Sequence, residues 1–289
     1  MAATSILQRT AGSRPPQELA TVVSIEQRYT ARRPLGEELR LALASHDPSY
    51  TWLWCAPAGR AYAGMLPGGA PRQLELTADP RQSKPATELL AAIRHEFSTG
   101  VLWTHGDLAA GRQAAVALQL HQQRELWLMQ RELSTATASK PPTDVQFRTF
   151  NANRDSEALL ALNREIFVDL PDQGSWGPAE LQLRLDAPWF DPVGLILAER
   201  SGELVGFHWT KLERQQSQPP AGEVYVLGVA ASHRGSGLAD SLLTAGLEHL
   251  SQQGARTVQL FVDNANRAAI ALYLRAGFAH IDTDRQFNW

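Results

Sequence analysis

Val226–Asp240 reads VLGVAASHRGSGLAD, and the rest of the chain is best understood outward from it. An apolar run of strand character enters Arg234-Gly235-Ser236-Gly237, and a helix leaves with Leu238, Ala239, Leu242, Leu243, Gly246, Leu247 and Leu250 at near 3.6-residue spacing. Small residues let backbone N–H groups of Arg234 to Asp240 approach a ligand, the helix start adds partial positive charge, and Arg234 adds a full one. The segment therefore suits a pyrophosphate, although an ordinary strand-to-helix turn uses the same glycines. No Gly-Lys-Ser/Thr follows and no G-x-G-x-x-G is present, which disfavours nucleoside triphosphates and NAD. After Gly254 come a strand, Val258–Val262, and a helix, Ala268–Arg275, closed by Gly277 as a C-terminal cap.

The first half of the chain repeats this order. A strand (Gln73–Thr77), a turn (Asp79–Pro85), a helix (Thr87–Phe97), a strand (Gly100–Trp103), a helix (Gly111–His121) and a strand (Glu125–Met129) are expected. Arg81 precedes Asp107 by 26 residues and Arg234 precedes Asp263 by 29. At 289 residues the chain is about 1.9 times the usual ~150-residue domain, in keeping with two modules. The Pro-Pro-containing stretch Ser134–Asp144 reads as the joint between them. The expected organisation is a flexible tail over 1–20, an N-terminal module over 21–133, a linker over 134–144 and a catalytic module over 145–289. Glu213–Gly222 reads as a loop between two strands of the second module.

A net charge of −3 gives no footprint for nucleic acid or an anionic membrane. A single cysteine, Cys55, allows neither an internal disulfide nor a multi-thiolate zinc site, and the eight histidines show no metal spacing, so no metal is assigned. With no signal-type apolar region and no run of ~18 apolar residues, a cytoplasmic monomer acting on a small molecule is expected.

Thirty-two residues after Arg234 begins Asn266-Arg-Ala-Ala-Ile-Ala-Leu-Tyr273-Leu-Arg-Ala-Gly277-Phe278. Together, the two segments resemble the Gcn5-related N-acetyltransferase (GNAT) family, with its Arg/Gln-x-x-Gly-x-Gly/Ala turn and its Asn-x-x-Ala-x-x-Leu-Tyr-x-x-x-Gly-Phe helix. Arg234, Gly237 and Ala239 match the first motif; Asn266, Ala269, Leu272, Tyr273, Gly277 and Phe278 match the second. The resemblance implies an α/β fold with a mixed sheet, written twice, and acetyl-CoA as co-substrate. It places the cofactor against Leu227, Gly228 and Val229, whose N–H groups polarise the thioester carbonyl as an oxyanion hole does, against Arg234, Gly235, Ser236, Gly237, Leu238, Ala239 and Asp240, and against Asn266, Arg267, Ala269 and Ile270. Tyr273 is then the general acid for the departing thiolate.

Further segments are similar to the mycothiol synthase family of tandem acetyltransferases: Asn163 to Phe167, Leu170-Pro-Asp172-Gln-Gly174, Gly206 to Lys211 and Gly222 to Val229, with Leu102 to Asp107 and Arg124 to Met129 in the first half. That likeness implies acetylation of the cysteinyl α-amine of cysteinyl-glucosaminyl-inositol (Cys-GlcN-Ins), with Glu223 as general base and with Glu37, Asp172, Lys211, Glu223 and the position of Phe261 contacting this substrate. Phe261 stands where the family has a tyrosine, so it offers no O–H, and Asp172 is shorter than the usual Glu. In the first half the turn Asp79-Pro-Arg81-Gln-Ser-Lys84-Pro85-Ala86 has lost its glycines, Pro85 lacks an N–H, and the counterpart of Tyr273 falls near Ala115. A non-catalytic N-terminal module follows. Other readings are an acetyltransferase of a different small-molecule or protein amine, and a non-catalytic acyl-CoA scaffold.

Overall fold

A computed structural model describes residues 7–9, 18–40, 51–55, 60–66, 71–133, 142–213 and 220–289, without the side chains of 7–9, 53–55 and 171–172. Cys55 and Asp172 are thus known by their backbone alone, and residues 134–141 of the expected linker and 214–219 of the expected loop lie outside the described residues.

The chain divides into two compact units. The first holds residues up to Trp127 together with Asp282–Trp289, and the second holds Leu128–Ile281. The boundary therefore falls inside a long strand, β6 (His121–Glu132), some residues before the Pro-Pro stretch, and the last eight residues return to the first unit.

In the first unit the strands run β1 (Leu7–Arg9), β2 (Thr51–Cys55), β3 (Ala61–Met65), β4 (Arg72–Ala78), β5 (Gly100–His105) and the end of β12 (Ala279–Asn288), neighbours in that order. All of these pairs are antiparallel except β4 with β5. Leu7–Arg9 pairs with β2, so the expected flexible tail contributes an edge strand. The unit's helices include α1 (Leu19–Thr30), α2 (Ser83–Glu96) and α3 (Ala110–Ala117), and residues 37–40 are helical as well. α2 starts four residues earlier than expected: Pro85 sits in its first turn, where N–H groups lack intrahelical partners, and so does not break it. α3 is shorter than expected, because Gln119 turns to positive φ and His121 already begins β6. Leu74, Leu76, Leu89, Leu90, Ile93, Leu102, Ala114 and Ala115 form the core between helices and sheet.

The second unit orders its strands β11 (Thr257–Asp263), β10 (Ala221–Val229), β9 (Glu203–Glu213), β8 (Leu195–Arg200) and β7 (Gln146–Thr149). Only β10 with β11 is parallel. One face carries α4 (Ala152–Ile166), α5 (Pro171–Gly174) and α6 (Pro178–Leu185), packed over Leu197, Phe207, Trp209 and Val226. α4 begins at Asn151, whose side chain accepts from Asn153 N at 3.1 Å, a standard N-cap. The other face carries α7 (Leu238–Gln252), whose buried stripe is Leu238, Leu242, Leu243, Gly246, Leu247 and Leu250. Gly246 is needed because any Cβ there would run into the His208 ring. His208 is wholly buried with Nδ1 2.8 Å from Leu242 O; burial, then the nearby His249, pushes its pKa down to about 4, so a neutral imidazole donates that bond. α8 (Arg267–Arg275) precedes Gly277 at φ +83, which closes the helix as anticipated.

Candidate active site

Parallel strands β10 and β11 hold register only at Ala221↔Thr257, Gly222↔Val258 and Glu223↔Gln259. Both continue, to Val229 and Asp263, but no further pairing joins them. β10 stays bonded to β9 along its whole length, with a bulge at Tyr225 between the Val224↔Thr210 and Val226↔Trp209 pairs. Strand N–H groups point alternately to either side, so past Glu223 part of the Leu227–Val229 backbone faces a gap instead of a neighbouring strand. An extended acyl group can enter there and find backbone donors already in place.

At the end of β10 the chain makes a 3₁₀ turn (Ala231–His233) and then the glycine turn. Gly235 and Gly237 have φ of +75 and +82, and a Cβ on either would meet nothing within 4 Å. These glycines are therefore required by backbone conformation, and the space above them is free for a ligand. Gly237 caps α7 with no side-chain bond, which leaves the first-turn N–H groups at Leu238 to Asp240 for an anion. Ser236 Oγ donates to His233 O at 2.7 Å and fixes the turn. Arg234 is exposed, and its guanidinium pairs with no group among the described residues. Asp240 lies 3.4 Å from Arg275. Leu238 and Ile270 point their side chains into the core, so only their backbones can touch a ligand.

Asn266 is the N-cap of α8, its Oδ1 accepting from Ala269 N at 3.1 Å, while Arg267 is exposed beside it. The Asn-x-x-Ala part of the motif thus has a capping role built in. Tyr273 lies on the inner side of α8, 7% exposed, edge-on to Phe278 with centroids 5.8 Å apart. Its hydroxyl bonds to no protein group among the described residues. Burial raises its pKa above the ordinary 10, so the phenol keeps its proton at neutral pH.

Glu223 occupies the last paired position before the gap, half-buried, and accepts from Gln259 Nε2 at 3.3 Å. Its partner on β9 is Lys211, so Lys211, Glu223 and Gln259 project from one face. Lys211 is almost fully buried: Nζ is 3.2 Å from Glu213, 4.8 Å from the Trp189 ring centre and 5.4 Å from that of Tyr225. Stem burial and two aromatic faces offset its desolvation. Arg184 in turn donates to Tyr225 Oη at 2.8 Å and stacks on Trp176 at 3.9 Å. Phe261, two residues after Gln259, is 39% exposed on the same face. A cavity of about 400 Å³ is lined by Trp189, Phe190, Asp191, Thr210, Glu213 and His249 among others, rings mixed with acceptors and donors. Glu37 belongs to the first unit, half-buried at the first helical position after Gly36.

Sequence reading singled out neither Gln259, which holds Glu223, nor the bulged Tyr225 with Arg184 behind it. Gln259 carries a readable signal, a polar residue at period two among the apolar positions of β11. Among the described residues no group of three or more His, Cys, Asp or Glu side chains could hold a metal, and no helix is long and apolar enough to cross a membrane.

Residues 157–278 match the model of the acetyltransferase (GNAT) family. A mycothiol acetyltransferase of Thermobispora bispora is 44% identical over 264 residues, covering 89% of this chain and 90% of that protein. The chain belongs to the mycothiol acetyltransferase family. One from Kytococcus sedentarius is 35% identical over 95% of this chain and 97% of its own length. Among solved structures, a GCN5-related N-acetyltransferase of Sphaerobacter thermophilus (TM-score 0.71, 19% identity) covers 98% of this chain and 95% of its own. A tandem GNAT protein from the clavulanic acid biosynthesis pathway (TM-score 0.70, 16% identity) covers 98% of each. The doubled α/β fold is thus shared along nearly the whole chain. Like the rest of the GNAT enzymes, this member of the mycothiol acetyltransferase family is an acetyl-CoA-dependent N-acetyltransferase.

Proposed function

We propose that the enzyme moves acetyl from acetyl-CoA to the cysteinyl α-amine of Cys-GlcN-Ins, giving mycothiol and CoA. The observation that carries this reading is Glu223 at the last paired position of β10 and β11, beside the gap where a thioester carbonyl would lie. The relatives are named mycothiol acetyltransferases, which supports an acceptor whose acetylation gives mycothiol. Glu223, steadied by Gln259, takes a proton from the substrate ammonium, directly or through water; with a reference pKa near 8 the α-amine needs little help. The free amine attacks the thioester carbon, C–N forms, and the carbonyl charge is met by the N–H groups of Leu227–Val229. The C–S bond breaks, Tyr273 gives its proton to the sulfur, and the second proton of the attacking nitrogen passes through water to the phenolate, leaving amide, CoA thiol and phenol. A phenol is a weaker acid than a thiol in water and burial raises it further, but a thiol leaving into the same pocket is raised by burial as well, so burial does not by itself set the phenol against the transfer. Arg234, the glycine turn and the start of α7 hold the pyrophosphate, with Asn266, Arg267, Ala269 and Ile270 on its flank. Lys211 and the rings around the 400 Å³ cavity meet the sugar and inositol hydroxyls, and the family likeness adds Asp172 and Glu37 as further substrate contacts.

Phe261 favours a second reading, an acceptor amine without the hydroxyl that a tyrosine there would bind. Mass spectrometry of acetyl-CoA incubated with Cys-GlcN-Ins, against a panel of aminoglycoside, polyamine and peptide amines, decides between them. Acetylation of the cysteinyl nitrogen at the highest kcat/KM is expected. Rejection of Cys-GlcN-Ins in favour of another amine overturns the assignment and leaves the second reading.

A further inference from the structure

The first unit has its own parting strands. β4 and β5 hold parallel register from Arg72↔Gly100 to Glu75↔Trp103 and no further, although they run on to Ala78 and His105. A glutamate, Glu75, again marks the last pair. The gap beyond it is filled by Glu26 of α1. One carboxylate oxygen accepts from Ala78 N at 3.1 Å, at the end of β4; the other accepts from Ala110 N at 2.7 Å, at the start of α3. Glu26 is 1% exposed and sits on the buried stripe of α1 with Leu19 and Val22.

Ala78 follows Glu75 by three residues. Leu227 follows Glu223 by four, one of which is the bulged Tyr225. The N–H that Glu26 takes in the first unit is therefore the counterpart of the Leu227 N–H. This correspondence rests on reading the second gap as the acyl site; the carboxylate contacts themselves do not.

We propose that the first gap is a built carboxylate site that the chain fills with its own Glu26, closing it to an acyl carbonyl, and that a small free carboxylate enters when Glu26 is cut back. The ligand class follows from the donors: two converging backbone N–H groups in a dry pocket, spaced to take one oxygen each. Truncation strands both, and a buried unpaired N–H is costly. Formate or acetate restores both bonds; chloride, with a single acceptor atom, cannot span them.

The test is thermal unfolding of the full chain in chloride and, at equal ionic strength, in formate. Glu26→Ala is expected to unfold about 5 °C or more below the parent in chloride and to regain at least half of that in formate, saturably, while the parent does not respond. An equal response of parent and variant, or none in Glu26→Ala, overturns the site. Should Glu26→Ala not fold in chloride, its folded yield in formate against chloride reads the same question. Glu26→Gln, which keeps the shape but aims an NH₂ at one of the two donors, is expected to unfold below the parent; an unchanged midpoint overturns the proposal as well. None of these readings involves acetyl transfer, so their failure leaves the proposed reaction untouched, and failure of that reaction leaves this site standing.

Discussion

Both units part a parallel strand pair after a glutamate, and they treat what lies beyond it in opposite ways. In the second unit the backbone past Glu223 is unpaired on its β11 side, the turn that follows carries two glycines at positive φ, and Arg234 is unengaged among the described residues. In the first unit Glu26 is bonded into the gap, and the turn has Pro85 where an N–H would be useful. Arg81 is tied by Nε and Nη2 to Asp79 at 2.8 and 2.7 Å. The helices that follow end alike, with Phe278 N bonding Tyr273 O and Leu120 N bonding Ala115 O, and this equivalence shows that the first copy has a buried alanine where the second has its phenol. Glu75 has also been absorbed: it accepts from Gly36 N at 2.5 Å and lies 3.4 Å from His105 Nε2. Glu75, Arg81 and the Ala78 N–H, which stand where the second unit has Glu223, Arg234 and the Leu227 N–H, thus each have an internal partner.

The sharpest way to break this contrast is to neutralise the two glutamates in turn. Glu223→Gln is expected to lower kcat/KM by ~10²–10³-fold, whereas Glu75→Gln leaves steady-state kinetics within about twofold. Equal losses would mean that the first gap takes part in the reaction. Tyr273→Phe comes next, with kcat down ~10²-fold and acetyl-CoA affinity unchanged by calorimetry. An unaltered rate would reduce this side chain to a packing partner of Phe278. Removing each turn arginine separates the two cradles: Arg234→Ala should raise KM for acetyl-CoA roughly tenfold, and Arg81→Ala should not move it. The smallest effect concerns pH. Burial alone would depress His105, but Glu75 and Asp284 outweigh it and its pKa is pushed up to about 10. A histidine with a raised folded-state pKa contributes stability that is full below its unfolded value near 6.5 and is lost as pH rises toward 10. The unfolding midpoint is therefore expected to fall between pH 6.5 and 10, and the slope to flatten in His105→Gln.

Much of this was legible in the chain. Apolar periodicity located α7 and both strands of the second gap, and the glycine turn announced its positive φ. Periodicity could not show that Lys211 is buried, because its shelter comes from Trp189 and Tyr225, which are brought to it by folding. Nor could it reveal the bulge at Tyr225, which depends on the partner strand. Glu26 bonds to residues 52 and 84 positions away, and no local pattern encodes such contacts. One trace was present all the same: a charged residue seven after Leu19 and four after Val22 stands on the apolar stripe of its helix, where a carboxylate needs a reason to be.

The return of Asp282–Trp289 to the first unit sets an order of events during synthesis. Asp284 to Asn288 pair with β5, and Asp282 and Asp284 are the partners of Arg32 at 2.8 and 2.6 Å. A ribosome releases these residues only after the whole of the second unit, a delay on the order of ten seconds at ordinary elongation rates. Through that interval β5 has an uncovered edge and Arg32 and His105 lack their aspartates, so the half of the molecule that is made first is the half that is finished last.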